Sequence, residues 1–485
     1  MSWLAHQLRA RPGAPAVRAG DAELTYGELG DAVRRASAVL AAAGVVPGDR
    51  VAVCLPNRLD HLVAIHAVAW LGAVLLPLHP RLGREELVRR LDEAGARLLV
   101  AAEGEDPTGF ACPVLAAGEL SPGTGRAPAA PPPPPASRGV QSLLFTSGST
   151  GRPTAVALTY ENHLASAVAS ALNLGVHRGD DWLCCLPLAH VGGLAIALRS
   201  VIYGTALTLV DGFDAREVAR LLASGRVSLA SLVPTMVRRL LDVAGTSGPI
   251  APRRLRAVLL GGGPMDAATV EGALAAGLPV LATYGMTETS SQIATVPLGA
   301  AGARPGSAGP PLFGAEVEVR RLAGGEAGDS DAAAAPPGEE GEIWVRGPMV
   351  AVSRADEAGW HRTGDLGRLD ADGWLWVAGR RDQVIVTGGE NVSPEVVEAV
   401  LCAHPEVAEC AVTGVSDPEW GRTVAAVVVP RRVAEPPAAE ALADHCRAHL
   451  ARFQVPRRWR IVAALPRTAS GKVARAELAA LFDDH

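Results

Sequence analysis

Apolar residues recur at helical spacing over positions 26–43, and Gly44 follows as a stop, so the pattern predicts a helix there. The apolar run 50–55 then predicts a buried strand, 59–71 a helix and 73–77 a second strand. Alternation of this kind predicts a parallel sheet covered by helices. It resumes at Val140, with strands predicted at 143–145, 182–186, 206–210, 229–233 and 258–260 and helices at 161–174, 194–203 and 215–223. Between about 305 and 350, shorter segments alternate apolar and polar residues instead, as in 316–319 and 341–346, and predict a smaller β-rich subdomain. The last block has its own helices (395–403, 438–450) and strands (410–415, 424–429). The expected fold is therefore α/β: a large N-terminal domain of helix-covered sheets with a β-rich subdomain (1–378), a polar connection (379–383) and a small α+β C-terminal domain (384–485).

Composition narrows the class. A chain of 485 residues is too long for one core, and 48% hydrophobic with 20% charged residues describes a globular protein. With 45 basic against 51 acidic residues the net charge is −6, which gives no footprint for nucleic acid. The seven cysteines are odd in number and form no C-x-x-C pair, so reduced cytosolic thiols are expected, with neither a zinc site nor a disulfide framework. The N-terminus lacks a basic region followed by an apolar core, and the most apolar run, 62–78, is broken by His66 and Pro77. No membrane span is expected, and the predicted location is cytoplasmic. Residues 112–139, with five consecutive prolines at 131–135, read as a linker.

The first chemical signal is Phe145-Thr-Ser-Gly-Ser-Thr-Gly-Arg-Pro-Thr154, a hydroxyl- and glycine-rich loop between apolar runs. Glycines let backbone N–H groups turn towards an anion and hydroxyls add donors, so the loop suits a polyphosphate. It lacks the G-x-x-x-x-G-K-[ST] order of a P-loop.

Taken with Tyr284-Gly-Met-Thr-Glu288, Thr363-Gly-Asp365, Gly379-Arg-Arg-Asp382 and Ser470-Gly-Lys472, the loop resembles the acyl-adenylate-forming superfamily, in order and along essentially the whole chain. That resemblance implies an enzyme that joins a carboxylate to the α-phosphate of ATP, with magnesium as cofactor and coenzyme A as co-substrate. Thr146, Ser147, Gly148, Ser149, Thr150 and Gly151 match the phosphate loop, Glu288 the magnesium ligand, and Thr287 a residue at the α-phosphate or acyl group. Tyr284 and Gly285 match the segment flanking adenine, and Gly261, Gly262 and Gly263 one wall of its slot. Asp365 and Arg380 match the ribose-binding positions. Lys472 matches the lysine that bridges the attacking carboxylate and the α-phosphate. Asp382 matches a hinge about which a mobile C-terminal domain rotates, bringing the loop at Gly388, Gly389 and Glu390 to the thiol of coenzyme A.

One branch of the superfamily, the ligases that join o-succinylbenzoate to coenzyme A in menaquinone biosynthesis, is resembled further. Thr283-Tyr-Gly-Met-Thr-Glu-Thr-Ser-Ser-Gln-Ile293, Leu186-Pro-Leu-Ala-His-Val-Gly-Gly193 and Arg199-Ser-Val-Ile-Tyr-Gly204 carry the likeness. It implies that His190 stands at the mouth of the acyl pocket, with a core histidine as the other reading, and that Gly192, Gly193 and Leu194 leave room for an aryl ring. Arg199 has physical content of its own, because a guanidinium in an apolar helix needs an anion. It either holds the substrate's second carboxylate, snorkels, or forms an internal salt bridge. Thr154 stands where the family commonly has lysine; Arg152 compensates, or ATP binds more weakly. Another aryl- or fatty-acyl-CoA ligase, a carrier-loading adenylation enzyme and a non-catalytic nucleotide binder are the competing readings. The expected partners are small molecules, without nucleic acid; a homo-oligomer is left open.

Overall fold

The structure, a computed structural model, describes residues 3–120, 139–147, 153–247, 250, 254–263, 267–322, 333–387, 390–418, 420–468 and 473–482. Two sheets organise the larger part of the chain. One has eight strands in the order Ser291–Thr295, Val280–Met286, Ala257–Leu260, Leu229–Leu232, Asp181–Cys184, Ala206–Leu209, Pro15–Ala19 and Ala22–Thr25. The other has six, in the order Val114–Ala116, Leu98–Ala101, Arg50–Cys54, Val74–Leu78, Val140–Ser147 and Pro153–Thr159. Neighbours are parallel through the middle of both, and antiparallel pairs occur only at the edges.

Strand periodicity decides which core each side chain joins. Trp182 and Cys184 enter an apolar core shared by both sheets, while Leu183 and Cys185 face the other way. The shared core holds Val51, Leu75 and Val100 from the six-stranded sheet and Val17, Leu207 and Leu259 from the eight-stranded one. The helices Tyr26–Ala42, Leu59–Trp70 and Val191–Tyr203 contribute Leu29, Ile65 and Leu194 to it. A helix packed between sheets is covered all round, which is why Leu59–Trp70 buries nine of its twelve residues. The outer faces are covered separately, by Ala215–Ala223, Pro234–Ser247 and Ala267–Ala275 on one sheet and Arg84–Ala94 on the other.

The β-rich subdomain is an antiparallel sheet of Glu316–Arg320, Gly341–Arg346, Trp360–Leu369 and Leu375–Arg380. Beyond it, Val407–Asp417, Gly421–Pro430 and Arg458–Ile461 form a three-stranded sheet with the helices Pro394–Cys402 and Ala439–His449 on one face. One expectation needs correction. Part of the predicted linker is ordered structure: Val114–Ala116 adds a parallel edge strand to Leu98–Ala101, and Leu120 is buried. A three-residue strand is too short to show periodicity, so only its partner reveals it. Residues 121–138, with the proline run, lie outside the described residues. Among the described residues no helix is long and apolar enough to cross a membrane, and no cysteine is in a disulfide.

Three histidines are buried within this frame. Burial holds His61 and His66 down to about 4, and burial with the nearby Arg199 charge holds His163 down to about 3. The Nε2 atoms of His61 and His66 have no hydrogen-bond partner. Because the folded values lie below the unfolded one, their contribution is complete above about pH 6.5 and is lost as pH falls towards 4. Each loss approaches roughly 3 kcal/mol. Urea unfolding at pH 7 and at pH 5 is expected to show a marked fall in midpoint, and H66Q a shallower one. Equal slopes for wild type and variant would remove His66 from this account.

Candidate active site

The motif segments leave the carboxyl ends of parallel strands, where open α/β sheets bind ligands. Asp181–Cys184 runs on to His190, Ala257–Leu260 to the glycine run, and Val280–Met286 to Thr287 and Glu288. In the six-stranded sheet, Val140–Ser147 and Pro153–Thr159 form an antiparallel pair that sets Thr146 opposite Thr154 and Ser147 opposite Pro153. Gly148, Ser149, Thr150, Gly151 and Arg152, which connect these strands, lie outside the described residues. Thr146 Oγ1 donates to the Thr154 carbonyl at 3.4 Å, and the Thr154 hydroxyl accepts from Arg354 Nη2 at 2.8 Å.

The segment after Val280–Met286 is a tight fold. Thr289 Oγ1 accepts from the Met286 amide at 3.0 Å and donates to the Ser291 carbonyl at 2.8 Å. Ser290 and Ser291 take φ of 52° and 102°, and a Cβ on Gly285 would fall 1.7 Å from the Ser291 carbonyl oxygen. Such backbone persists only where surroundings over-determine it. Here Ser290 Oγ donates to the Met349 carbonyl at 2.9 Å, and the Ala351 amide donates to the Glu288 carbonyl at 2.8 Å. Thr287 and Glu288 are thereby held half-exposed, and the Glu288 carboxylate makes no ion pair among the described residues.

Tyr284, Asp365 and Arg380, far apart in sequence, meet. Tyr284 Oη donates to Asp365 Oδ2 at 2.6 Å, and Arg380 Nη1 donates to Asp365 Oδ1 at 3.3 Å. Asp365 and Arg380 are register partners on adjacent strands, which fixes that contact. Burial pushes the Asp365 carboxyl up, partly offset by Tyr284 and Arg380, and pushes the Tyr284 phenol well up. A carboxylate has lone pairs beyond these two bonds, so Asp365 can still accept from a ligand's hydroxyls. Of the glycine run, Gly261 is packed against Thr283, with a Cβ 2.8 Å from its carbonyl oxygen, and Gly262 has φ +76°. Gly262 and Gly263 are exposed.

His190 precedes the helix Val191–Tyr203, and its ring lies 5.8 Å from that of His79. Gly193 packs closely against backbone. A Cβ there would stand 2.3 Å from the Pro187 carbonyl oxygen and 2.6 Å from that of Leu186, so the missing side chain admits that backbone. Leu194 is a fully buried core residue. Gly192 is half-exposed, with the Leu186 side chain as its neighbour.

Arg199 is 3% exposed. Its Nη1 donates to Gln292 Oε1 at 2.7 Å and its Nη2 to Ser166 Oγ at 2.9 Å. Ser166 Oγ in turn donates to the Ser290 carbonyl at 2.8 Å, which ties Arg199 to the Thr287–Ser290 fold. No carboxylate among the described residues pairs with it, so the snorkelling and internal salt-bridge readings both fail. Burial lowers its affinity for the proton, partly offset by the nearby Tyr203. Ser166 and Gln292 were not legible as its partners, since nothing local in a sequence reports a contact between separate helices and strands.

In the C-terminal part, Asp382 Oδ1 accepts from Arg380 Nε at 3.2 Å, and Glu390 is exposed. Gly388, Gly389 and Lys472 lie outside the described residues. The ends of the Lys472 segment are tied together by an Arg467–Val473 bridge and by the Ala474 amide, which donates to the Pro466 carbonyl at 2.9 Å. Just beyond, Arg475 donates to both oxygens of the buried Glu398 at 2.8 Å.

The sequence pattern of the AMP-binding enzyme family matches residues 4–353, and that of the AMP-binding enzyme C-terminal domain matches residues 396–472. The 2-succinylbenzoate–CoA ligase of Geobacillus kaustophilus is 41% identical over 502 residues, covering 99% of this chain and 98% of that one. The o-succinylbenzoate CoA synthetase of Bacillus subtilis, solved with its acyl-adenylate intermediate, has a TM-score of 0.89 at 35% identity, covering 98% of this chain and 97% of that one. The same synthetase solved with ATP and a magnesium ion has a TM-score of 0.88 at 35% identity, covering 98% and 99%.

Proposed function

The chain belongs to the AMP-binding enzyme family, and on that premise we propose that it is an ATP-dependent acid–CoA ligase whose acid is o-succinylbenzoate. In the first half-reaction a carboxylate oxygen attacks the α-phosphorus of ATP, an O–P bond forms, and the bond to pyrophosphate breaks. In the second, the sulfur of coenzyme A attacks the acyl carbon, the bond to AMP breaks, and the thiol proton passes to solvent. The first step brings two anions together, so cations and oriented dipoles carry most of the catalysis.

The residues fall into place around that need. Thr146 and the hydroxyls of the connecting segment hold the terminal phosphates. Asp365, oriented by Tyr284 and Arg380, accepts the ribose hydroxyls. Lys472 bridges the carboxylate and the α-phosphate, and Thr287 stands beside the reacting group. Glu288 is a carboxylate with no ion pair among the described residues, and this suits magnesium, which commonly takes one or two protein carboxylates together with phosphate oxygens and water. Magnesium bound there screens the charge of the phosphates. Residues 384–485 are proposed to turn about Asp382 between the two half-reactions, withdrawing Lys472 and presenting Gly388, Gly389 and Glu390 to the thiol.

The observation that carries the acid's identity is the buried guanidinium of Arg199, which pairs with no carboxylate among the described residues. o-Succinylbenzoate has two carboxylates; the succinyl one is activated, and the aromatic one is the anion that Arg199 lacks. Acid-dependent ATP–pyrophosphate exchange tests the reading with a panel of o-succinylbenzoate, benzoate and medium-chain fatty acids. Exchange confined to o-succinylbenzoate is the expected result. Comparable exchange with fatty acids and none with o-succinylbenzoate would sink it.

A further inference from the structure

Two of the seven cysteines meet in the C-terminal part of the chain. Cys402 ends the helix Pro394–Cys402, and Cys410 lies in the strand Val407–Asp417, which that helix covers. Their Sγ atoms are 3.2 Å apart, although the residues stand eight positions apart in sequence. The sulfurs of a disulfide are about 2.0 Å apart, so an approach of about 1.2 Å would join these two. Both residues keep partial exposure. Cys184 and Cys185 differ in every respect but proximity: both are buried, they enter separate cores, and each donates to a backbone carbonyl. Cys410 Sγ is also 3.4 Å from the Glu398 carbonyl, one turn before Cys402 on the helix. The Glu398 carboxylate accepts from the Val412 amide and from Arg475, both at 2.8 Å. The sulfur pair therefore lies along a helix–strand seam that Glu398 already holds. The hydrogen bond to Cys402 and burial push the Cys410 thiol well up, so Cys410 keeps its proton and Cys402 is the sulfur that reacts first.

We propose that Cys402 and Cys410 form a site of reversible oxidative modification, at which a low-molecular-weight disulfide converts the thiol pair into a disulfide tying the helix Pro394–Cys402 to the strand Val407–Asp417. In the first step Cys402, its proton lost to solvent, attacks one sulfur of the small disulfide. A new S–S bond forms, the reagent's own S–S bond breaks, and one small thiolate leaves and takes a proton from solvent. In the second step the Cys410 sulfur attacks the Cys402 sulfur of that mixed disulfide. The second small thiolate leaves, and the Cys410 proton passes to it. Two protein thiols are oxidised by two electrons, and one small disulfide is reduced to two thiols. The new bond closes a short loop across the seam and braces it. None of this depends on the adenylation reading or on which acid is used.

The test equilibrates the full chain with mixtures of reduced and oxidised glutathione, then quenches it for thiol counting and peptide mapping. Oxidation is expected to remove two of the seven thiols, to lower the mass by two hydrogens, and to join the peptides that carry residues 402 and 410. Dithiothreitol is expected to restore all seven. The wild-type peptide map makes this assignment without any variant. C410S is expected to stop at a mixed disulfide on Cys402, and C402S to lose no thiol. The thermal midpoint of the oxidised chain is expected to rise by a few degrees. No loss of thiols in the most oxidising mixture would overturn the proposal. So would a wild-type chain that accumulates the mixed disulfide, or one that joins a different pair of cysteines. A midpoint lowered by oxidation would overturn the bracing role.

Discussion

R199M is expected to lower o-succinylbenzoate-dependent exchange by about a hundredfold or more, the cost of leaving a buried carboxylate without its partner. The loss should fall mainly on the KM for the acid, with ATP binding intact. Misfolding is the rival explanation, and the structure separates the two. Replacing a buried charge by an apolar side chain of similar size is often neutral or stabilising, because desolvation of the charge is relieved. Here the relief is large, since no acid among the described residues pairs with Arg199. The change strands the Gln292 and Ser166 oxygens, but Gln292 keeps its bond to Thr295 and Ser166 its bond to the Ser290 carbonyl. The thermal midpoint of R199M should therefore match or exceed that of the wild type while activity collapses. R199K should recover part of the activity, as a point charge without the planar fork. Full activity in R199M, or a loss just as large with a monocarboxylate, would remove Arg199 from substrate recognition.

The second large effect is expected at Lys472. K472A should reduce adenylation by about a thousandfold, in line with removing one preorganised donor at a site of developing negative charge. Thioester formation from a supplied acyl-adenylate should be nearly untouched, because the proposed rotation withdraws Lys472 before that step. The framework for placing this lysine is visible on either side of it. Pro466 and Ala474 close the segment through a backbone bond, and the Arg475–Glu398 pair anchors it to the helix Pro394–Cys402. Glu398 is buried and Arg475 half-buried, and burial raises the Glu398 carboxyl even with Arg475 beside it. Equal losses in both half-reactions would argue against a rotating C-terminal domain.

Most of the secondary structure was legible because its signals are local. The helices Tyr26–Ala42 and Ala215–Ala223 follow their apolar spacing to within a residue or two. Strands buried on both faces, such as Leu229–Leu232, show as short apolar runs between turns. Val114–Ala116 escaped because an edge strand of three residues is defined by its neighbour. Gly193 makes a related point. A glycine announces that something comes close, and only the folded chain shows whether it is a ligand or, as here, the Leu186 and Pro187 carbonyls.

By itself, the sequence determined the elements, the family and the chemical types at the site, since each rests on residue identity and spacing along one segment. Only the tertiary structure decided which charges meet and which stay unpaired. Asp365 finds Tyr284 and Arg380 across a sheet, Arg199 finds neutral partners on a helix and a strand, and Arg354 reaches Thr154 from two hundred residues away. The physical reason is that a charge's role depends on what surrounds it in space, through desolvation and the nearest counter-ion, and neither quantity is written in local sequence.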